Sequence, residues 1–226
     1  MSGGAGRAVG DAAGFVLAGG ESSRMGEDKA LIRFHGRPLV ERALGILQEA
    51  GLTGSIAGAR TPVALEALKA FAPVVEDAKA GLGPLSGICT ALAATEARWA
   101  VFVPVDLPLL PASFVAFLLN HARTTGRAIT LASVNSFAQS FPAVVDRAVL
   151  AVLEKELKAG RRGCFAGFQA ACDELNRPLT IVAVEALVQA GQVAHPDGLP
   201  AARWFLNVNR REDLCQAEAH TKALIR

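Results

Sequence analysis

The chain has 226 residues, of which 51% are hydrophobic and 19% charged, with a formal net charge of +2. Such a composition supports a sizeable buried core and excludes a disordered chain. Charges of both signs are interspersed and no basic stripe stands out, so nucleic acid is not an expected partner. The most apolar region, residues 101–119, is broken by Asp106 and by Pro104, Pro108 and Pro111. No membrane span is expected there.

Met1 to Ala13 is rich in Gly and Ala and is expected to be a loose tail. Residues 14–226 are expected to form one domain, in two halves that meet at about residue 125. Phe15-Val16-Leu17 is the first expected strand, and Pro38 to Glu49 reads as a helix with apolar Leu39, Ala43, Leu44 and Leu47 at helical spacing. Ile56-Ala57-Gly58 reads as a strand. Thr61-Pro62 should open a helix to about Ala70, with threonine as cap and proline just inside. Pro73 to Asp77 is a short strand, and Gly81 to Gly87 a loop opening a helix to about Thr95. Trp99 to Val105, a continuous apolar run, is the clearest strand. A helix follows from Pro111 to about Arg123, then a strand over Ala128 to Val134.

Beyond residue 134 the alternation weakens. Phe141 to Val145 reads as a strand turning through Asp146 into a helix ending near Lys158. Gly163 to Leu175 reads as helix, Leu179 to Val184 as strand, Gly191 to Pro200 as loop, Trp204 to Val208 as a late strand and Arg211 to Leu224 as a closing helix. Strands alternating with helices imply a three-layer α/β/α, Rossmann-like fold around a mostly parallel sheet.

Ligands of open α/β sheets gather outside the carboxyl ends of the strands, and three acidic or glycine-rich segments fall there. Leu17-Ala18-Gly19-Gly20 follows the first strand, with Ser22, Ser23, Arg24 and Lys29 behind it. Glycines let backbone approach a ligand, and hydroxyls, N–H groups and cations suit a polyphosphate. The spacing is neither the dinucleotide fingerprint nor a P-loop. Asp106, in Pro104-Val105-Asp106-Leu107-Pro108, ends the clearest strand. A carboxylate there either holds Mg²⁺ or caps the following helix. Asp77 ends another strand and suits either a purine's N–H groups or a solvated turn. Gly83 lies in a loop whose glycines bring backbone close to a helix start, where N–H groups point outward.

The spacing Leu17-Ala18-Gly19-Gly20…Ser23-Arg24-Met25-Gly26…Asp28-Lys29-Ala30-Leu31 resembles the molybdenum cofactor guanylyltransferases (MobA) within the nucleotidyltransferases. The resemblance extends over roughly residues 14 to 215. It implies transfer of GMP from GTP to Mo-molybdopterin, with Mg²⁺ as cofactor. It makes Lys29, Arg24 and Asp106 the candidate catalytic residues, with Asp106 also the metal ligand. Leu17, Ala18, Gly19, Gly20, Lys29, Asp77 and Gly83 become candidate nucleotide-binding residues. Asn207 and Asn209, in a terminal Asn-x-Asn, are candidate acceptor-binding residues; their other reading is as organisers of the turn into the last helix. Molybdoenzyme maturation proteins are the partners such an enzyme would meet, in the cytoplasm.

The chain departs from the family pattern at Ala57 and Ala59, where asparagine is often found, at Phe141-Pro142, and in the unusual length of 175–202. A cytidylyltransferase of the same cofactor and a non-catalytic delivery partner are the alternatives. Gly160-Arg161-Arg162-Gly163 either binds an anionic acceptor or sits in solvent. The four histidines, His35, His121, His195 and His220, fit no catalytic pattern, and Cys89, Cys164, Cys172 and Cys215 show neither Cys-x-x-Cys nor zinc spacing. Reduced thiols of that kind fit a cytosolic protein.

Overall fold

The structure, a computed structural model, describes residues 10–18, 28–58, 62–76 and 83–221. Its elements are β1 (Ala12–Leu17), β2 (Arg33–Phe34), β3 (Arg37–Pro38), α1 (Leu39–Glu49), β4 (Gly54–Ala57), α2 (Pro62–Leu68), β5 (Val74–Val75), α3 (Pro84–Ala93), β6 (Trp99–Pro104) and α4 (Ala112–Thr125). There follow β7 (Ile129–Val134), β8 (Phe137–Asp146), α5 (Leu150–Lys158), α6 (Cys164–Glu174), β9 (Leu179–Ala183), α7 (Val184–Gln189), α8 (Ala201–Trp204) and α9 (Arg211–His220). Short 3-10 turns occupy Lys29–Leu31 and Arg147–Val149. None of the described helices is long and apolar enough to cross a membrane.

Seven strands form one sheet in the order β5-β4-β1-β6-β8-β7-β9. All neighbours are parallel except β8, which is antiparallel to both β6 and β7. The expected mostly parallel α/β/α architecture is therefore present. Alternate strand residues point to opposite faces, and both faces are covered. Val16, Val101 and Val103 pack with Leu39 and Leu47 of α1 and Phe114 of α4. Phe15, Leu17 and Phe102 pack with α3, α5 and α6 through Ile88, Leu153 and Phe168. Phe15 and Phe102, partners in register on β1 and β6, stack with ring centroids 5.5 Å apart.

Four sequence expectations are corrected. The strand expected over Phe141 to Val145 starts earlier, at Phe137, because Asn135 and Ser136 close a tight hairpin from β7. Both turn residues have positive φ, 49° and 65°, the primed-turn geometry that matches strand twist. Trp204 to Val208 is not a strand. Trp204 ends α8, and Trp204 and Phe205 pack on Phe114, with centroids at 5.9 and 6.0 Å. Its apolar run buries itself under a helix, and the Val208 N–H goes to the Asp106 carbonyl, not to a sheet neighbour. The residues after β9 form α7, whose six residues were expected to be strand end and unassigned chain. β1 begins at Ala12, inside the segment expected to be tail. The expected Thr61 cap and the end of the closing helix at Leu224 lie outside the described residues.

At the amino end of β6 the buried carboxylate of Asp146 ties the sheet together. Its Oδ1 accepts the Ala148 N–H, and its Oδ2 accepts from Arg177 at 2.7 Å and Arg98 at 3.4 Å. This leaves the opposite, carboxyl end of the parallel strands for chemistry.

Candidate functional site

The ladder continues past the strand ends. The Ala18 N–H donates to the Ala57 carbonyl at 2.9 Å, and the Val105 N–H to the Leu17 carbonyl at 3.2 Å. Ala18, Gly58 and Asp106 are thus set beside one another at the carboxyl ends of β1, β4 and β6. α3 closes against the same place. A Cβ on Gly87 would lie 3.5 Å from Gly58 Cα and 3.9 Å from Leu17 Cδ2. Gly83 precedes α3 with φ 82° and ψ −177°, a conformation open essentially to glycine alone. The candidates Leu17, Ala18 and Gly83 therefore belong to one region, where backbone is the main surface.

Lys29 enters from the first 3-10 turn. Asp28 caps that turn, accepting the Ala30 N–H on its side-chain Oδ1 at 2.9 Å. Capping holds the turn so that Lys29 points inward, and its side chain is only 11% exposed. Its Nζ donates to Asp106 Oδ2 at 3.0 Å and to Asn209 Oδ1 at 2.6 Å. Three of the sequence candidates, 77 and 180 residues from Lys29 to its two partners, therefore share one ammonium group.

Asp106 keeps 27% of its side chain exposed. It does not cap α4: the capping position there is Pro111, with no side-chain cap. The carboxylate is instead committed to Lys29, with one oxygen facing Nζ. Asn209 is fixed by its own backbone. Its N–H and that of Arg210 both donate to Asp213 Oδ2 at 2.8 Å, in a capping box that opens α9. The Val208 N–H meets the Asp106 carbonyl at 2.9 Å. Asn209 thus organises the turn into α9, one of its two readings, and its side chain also reaches Lys29. Asn207 is exposed and makes no hydrogen bond to this cluster among the described residues. Gly19, Gly20, Arg24 and Asp77 lie outside the described residues.

Asp213 was not among the sequence candidates. Its signal was available as an acid at the third position of a helix, the second half of a capping box. The Arg161-Arg162 pair divides. The Arg161 guanidinium is bound by Glu156, whose carboxyl it holds below the usual value. Arg162 is exposed, with its Cβ 3.9 Å from where a Gly83 Cβ would stand, so it flanks the start of α3. Among the described residues there is no cluster of three or more His, Cys, Asp or Glu side chains able to hold a metal. His35 and His195 are engaged in structural hydrogen bonds, as expected for histidines outside the chemistry.

Residues 14–184 match the family described as the MobA-like NTP transferase domain. A molybdenum cofactor guanylyltransferase of Xanthomonas euvesicatoria pv. vesicatoria is 43% identical over 107 residues, 47% of this chain and 52% of that protein. The chain thus spans about half the length of that relative. A probable molybdenum cofactor guanylyltransferase of Haloferax mediterranei is 32% identical over 206 residues, 89% of this chain and 90% of that protein. The crystal structure of molybdopterin-guanine dinucleotide biosynthesis protein A from Archaeoglobus fulgidus is similar in fold, with a TM-score of 0.72 at 20% identity over 91% of this chain and 96% of that one. By the extent of that match, and with the strand-end site in place, the chain belongs to the MobA-like NTP transferase family.

Proposed function

We infer that this chain transfers GMP from GTP to Mo-molybdopterin, forming molybdopterin guanine dinucleotide and pyrophosphate. One observation carries the assignment of roles: Lys29 bonds both Asp106 and Asn209, joining the candidate phosphate, metal and acceptor residues in one place. The family relatives, named for guanylyl transfer to the molybdenum cofactor, support the substrates.

The acceptor's terminal phosphate supplies the nucleophile. Its second pKa is about 6, so near neutrality it is largely ionised and needs no general base. A phosphate oxygen attacks the α-phosphorus of GTP in line; the O–P bond to the acceptor forms as the bond to the leaving pyrophosphate breaks. Alignment and charge neutralisation carry the rate. Lys29, buried and held by two oxygens, presents a fixed ammonium to the triphosphate. Arg24 would add a planar fork to the same oxygens. Leu17, Ala18, Gly19, Gly20 and Gly83 would bring backbone against ribose and phosphates, and Asp77 would read the guanine edge. Asn207 and Asn209, with Arg162 beside Gly83, would hold the acceptor.

The donor set fits Mg²⁺. This ion takes one or two carboxylates and fills its remaining positions with substrate phosphates and water, and Asp106 is one partly exposed carboxylate at a strand end. Asp106 would hold the ion, which when bound offsets negative charge on the phosphate oxygens. We read residues 14–226 as one domain with its nucleotide half before about 125, working in the cytoplasm, with molybdoenzyme maturation proteins as onward partners.

Calorimetry with Mg²⁺ and each of the four NTPs tests the base assignment. GTP should bind tightest. Tighter binding of CTP would replace guanylyl with cytidylyl transfer and leave the fold and the phosphate residues standing.

A further inference from the structure

The loop from Asp106 to Leu109 is held carbonyl by carbonyl. The Asp106 carbonyl accepts the Val208 N–H at 2.9 Å, and the Leu107 carbonyl accepts the Leu110 N–H at 3.2 Å. Arg42 Nε of α1 donates to the Pro108 carbonyl at 2.6 Å. His195 Nε2 meets the Leu109 carbonyl at 3.1 Å. Only the last of these comes from the unusually long segment 175–202, for which the family resemblance supplies no task.

That segment is built to present the ring. His195 is 6% exposed and Leu109 is fully buried. The Asp197 N–H donates to His195 Nδ1 at 3.0 Å, so Nδ1 is the acceptor and Nε2 carries the hydrogen given to Leu109. Ser113 Oγ of α4 holds the Ala194 carbonyl at 2.8 Å, and Trp204 Nε1 of α8 holds the Leu199 carbonyl at 2.8 Å. The groups facing the ring are the Asp197 carboxylate, 3.9 Å from Nδ1, Arg42 of α1 and the Trp204 ring of α8, at 6.3 Å between centroids.

We propose that His195 is a positioning residue for the transfer reaction, bracing through the Leu109 carbonyl the loop that carries Asp106. The proposal rests on the reading of Asp106 as the metal-holding residue. A carboxylate three residues from an unheld, buried carbonyl would sample positions that misplace the metal and phosphates, and displacements of about 1 Å in such a site cost up to about a hundredfold in rate. Protonation of the ring puts a second N–H opposite the Asp197 N–H. The segment must then shift toward the Asp197 carboxylate, and its hold on Leu109 loosens.

Two variants separate the ring's two hydrogen bonds. His195→Asn keeps an acceptor for the Asp197 N–H but is too short to reach Leu109. His195→Gln reaches Leu109 with its amide N–H. Amide hydrogen exchange of the 105–110 peptide, referenced to α5, is measured beside steady-state guanylyl transfer. In His195→Asn, exchange at 105–110 should rise about tenfold and kcat fall about tenfold, with KM for GTP within about twofold of wild type. His195→Gln should restore both. Protection at 105–110 as strong in His195→Asn as in wild type would overturn the proposal, as would a loosened loop with unchanged kcat, or His195→Gln failing as badly as His195→Asn. If neither variant folds, the wild-type protein decides. Acidification from about pH 7.5 to about pH 4.5, through and well below the ordinary histidine value, should loosen 105–110 more than α5; equal change in both would overturn the brace. A loosened loop in a protein that never transfers GMP would instead refute the proposed reaction and leave the brace standing.

Discussion

Lys29 Nζ lies 3.0 Å from Asp106 Oδ2, an ion pair between a turn after β1 and a loop after β6. Asp106 follows β6 closely, whereas Lys29 comes from the separate 3-10 turn Lys29–Leu31, which the Leu39 N–H to Ile32 carbonyl bond of 2.9 Å joins to the start of α1. Asn209 makes the pair a triad by accepting from the same ammonium at 2.6 Å.

Replacing Lys29 with methionine removes the ammonium and keeps an unbranched side chain of similar reach. A charge-assisted hydrogen bond of this kind contributes roughly 1.5–3 kcal/mol. Triphosphate affinity, measured by calorimetry, should therefore fall about tenfold to about a hundredfold. Because Lys29 is buried and doubly bonded, thermal stability without ligand should fall as well. Unchanged affinity would remove Lys29 from the phosphate site.

Asp106→Asn keeps the side-chain shape and an oxygen for Lys29 but removes the charge. Lys29, only 11% exposed, loses its anionic partner, so thermal stability without ligand should fall, though less than in Lys29→Met, because the amide oxygen still accepts from Nζ. Turnover should fall by several orders of magnitude, with partial recovery at raised Mg²⁺ or Mn²⁺. Lost stability with normal turnover in the folded fraction would make Asp106 structural.

Gly83→Ala places a Cβ on backbone with φ 82° and ψ −177°. The strain should cost about 1–3 kcal/mol, read as a lowered melting temperature, and should weaken nucleotide binding because α3 loses its starting geometry. A variant as stable as wild type would show that another conformation serves equally.

Burial holds the His195 imidazole below its ordinary value, against the pull of the Asp197 carboxylate and the Leu109 carbonyl and with that of Arg42. The folded protein thus takes up this proton less readily than the unfolded chain. The ring's contribution to stability is whole above the ordinary histidine value of about 6.5 and is lost as pH falls below it. His195→Gln should lose less melting temperature than wild type between about pH 7.5 and about pH 5. Parallel losses would show that other groups set the acid limb.

Elements that bury two faces beside their neighbours were legible in the chain. Trp99 to Val105, with its acid at the end, could be placed as strand and strand-end carboxylate from the apolar run alone, and Lys29 and Asp106 could be paired by role before their contact was seen. Direction was harder to read. The inner half of β8 is as apolar and buried as β6, and Ala143, Val144 and Val145 carry no mark that they run antiparallel. The turn that reverses the chain, Asn135-Ser136, lacks the glycine that usually signals it. Trp204 to Val208 misled because a buried apolar run looks alike whether it lies in a sheet or across a helix; Phe114 is its partner, and only the tertiary fold supplies that. The contact of Lys29 with Asn209 was equally invisible, since 180 residues separate the two in the chain.

The central claim is guanylyl transfer at the Lys29–Asp106 site, and pyrophosphate release measures it most directly. Purified protein with Mg²⁺ and each NTP in turn, with and without Mo-molybdopterin, should release pyrophosphate with GTP only when the acceptor is present. The molybdopterin guanine dinucleotide formed should equal the pyrophosphate released, and Asp106→Asn should abolish both. Release with CTP in preference to GTP, or full release by Asp106→Asn, would contradict the account.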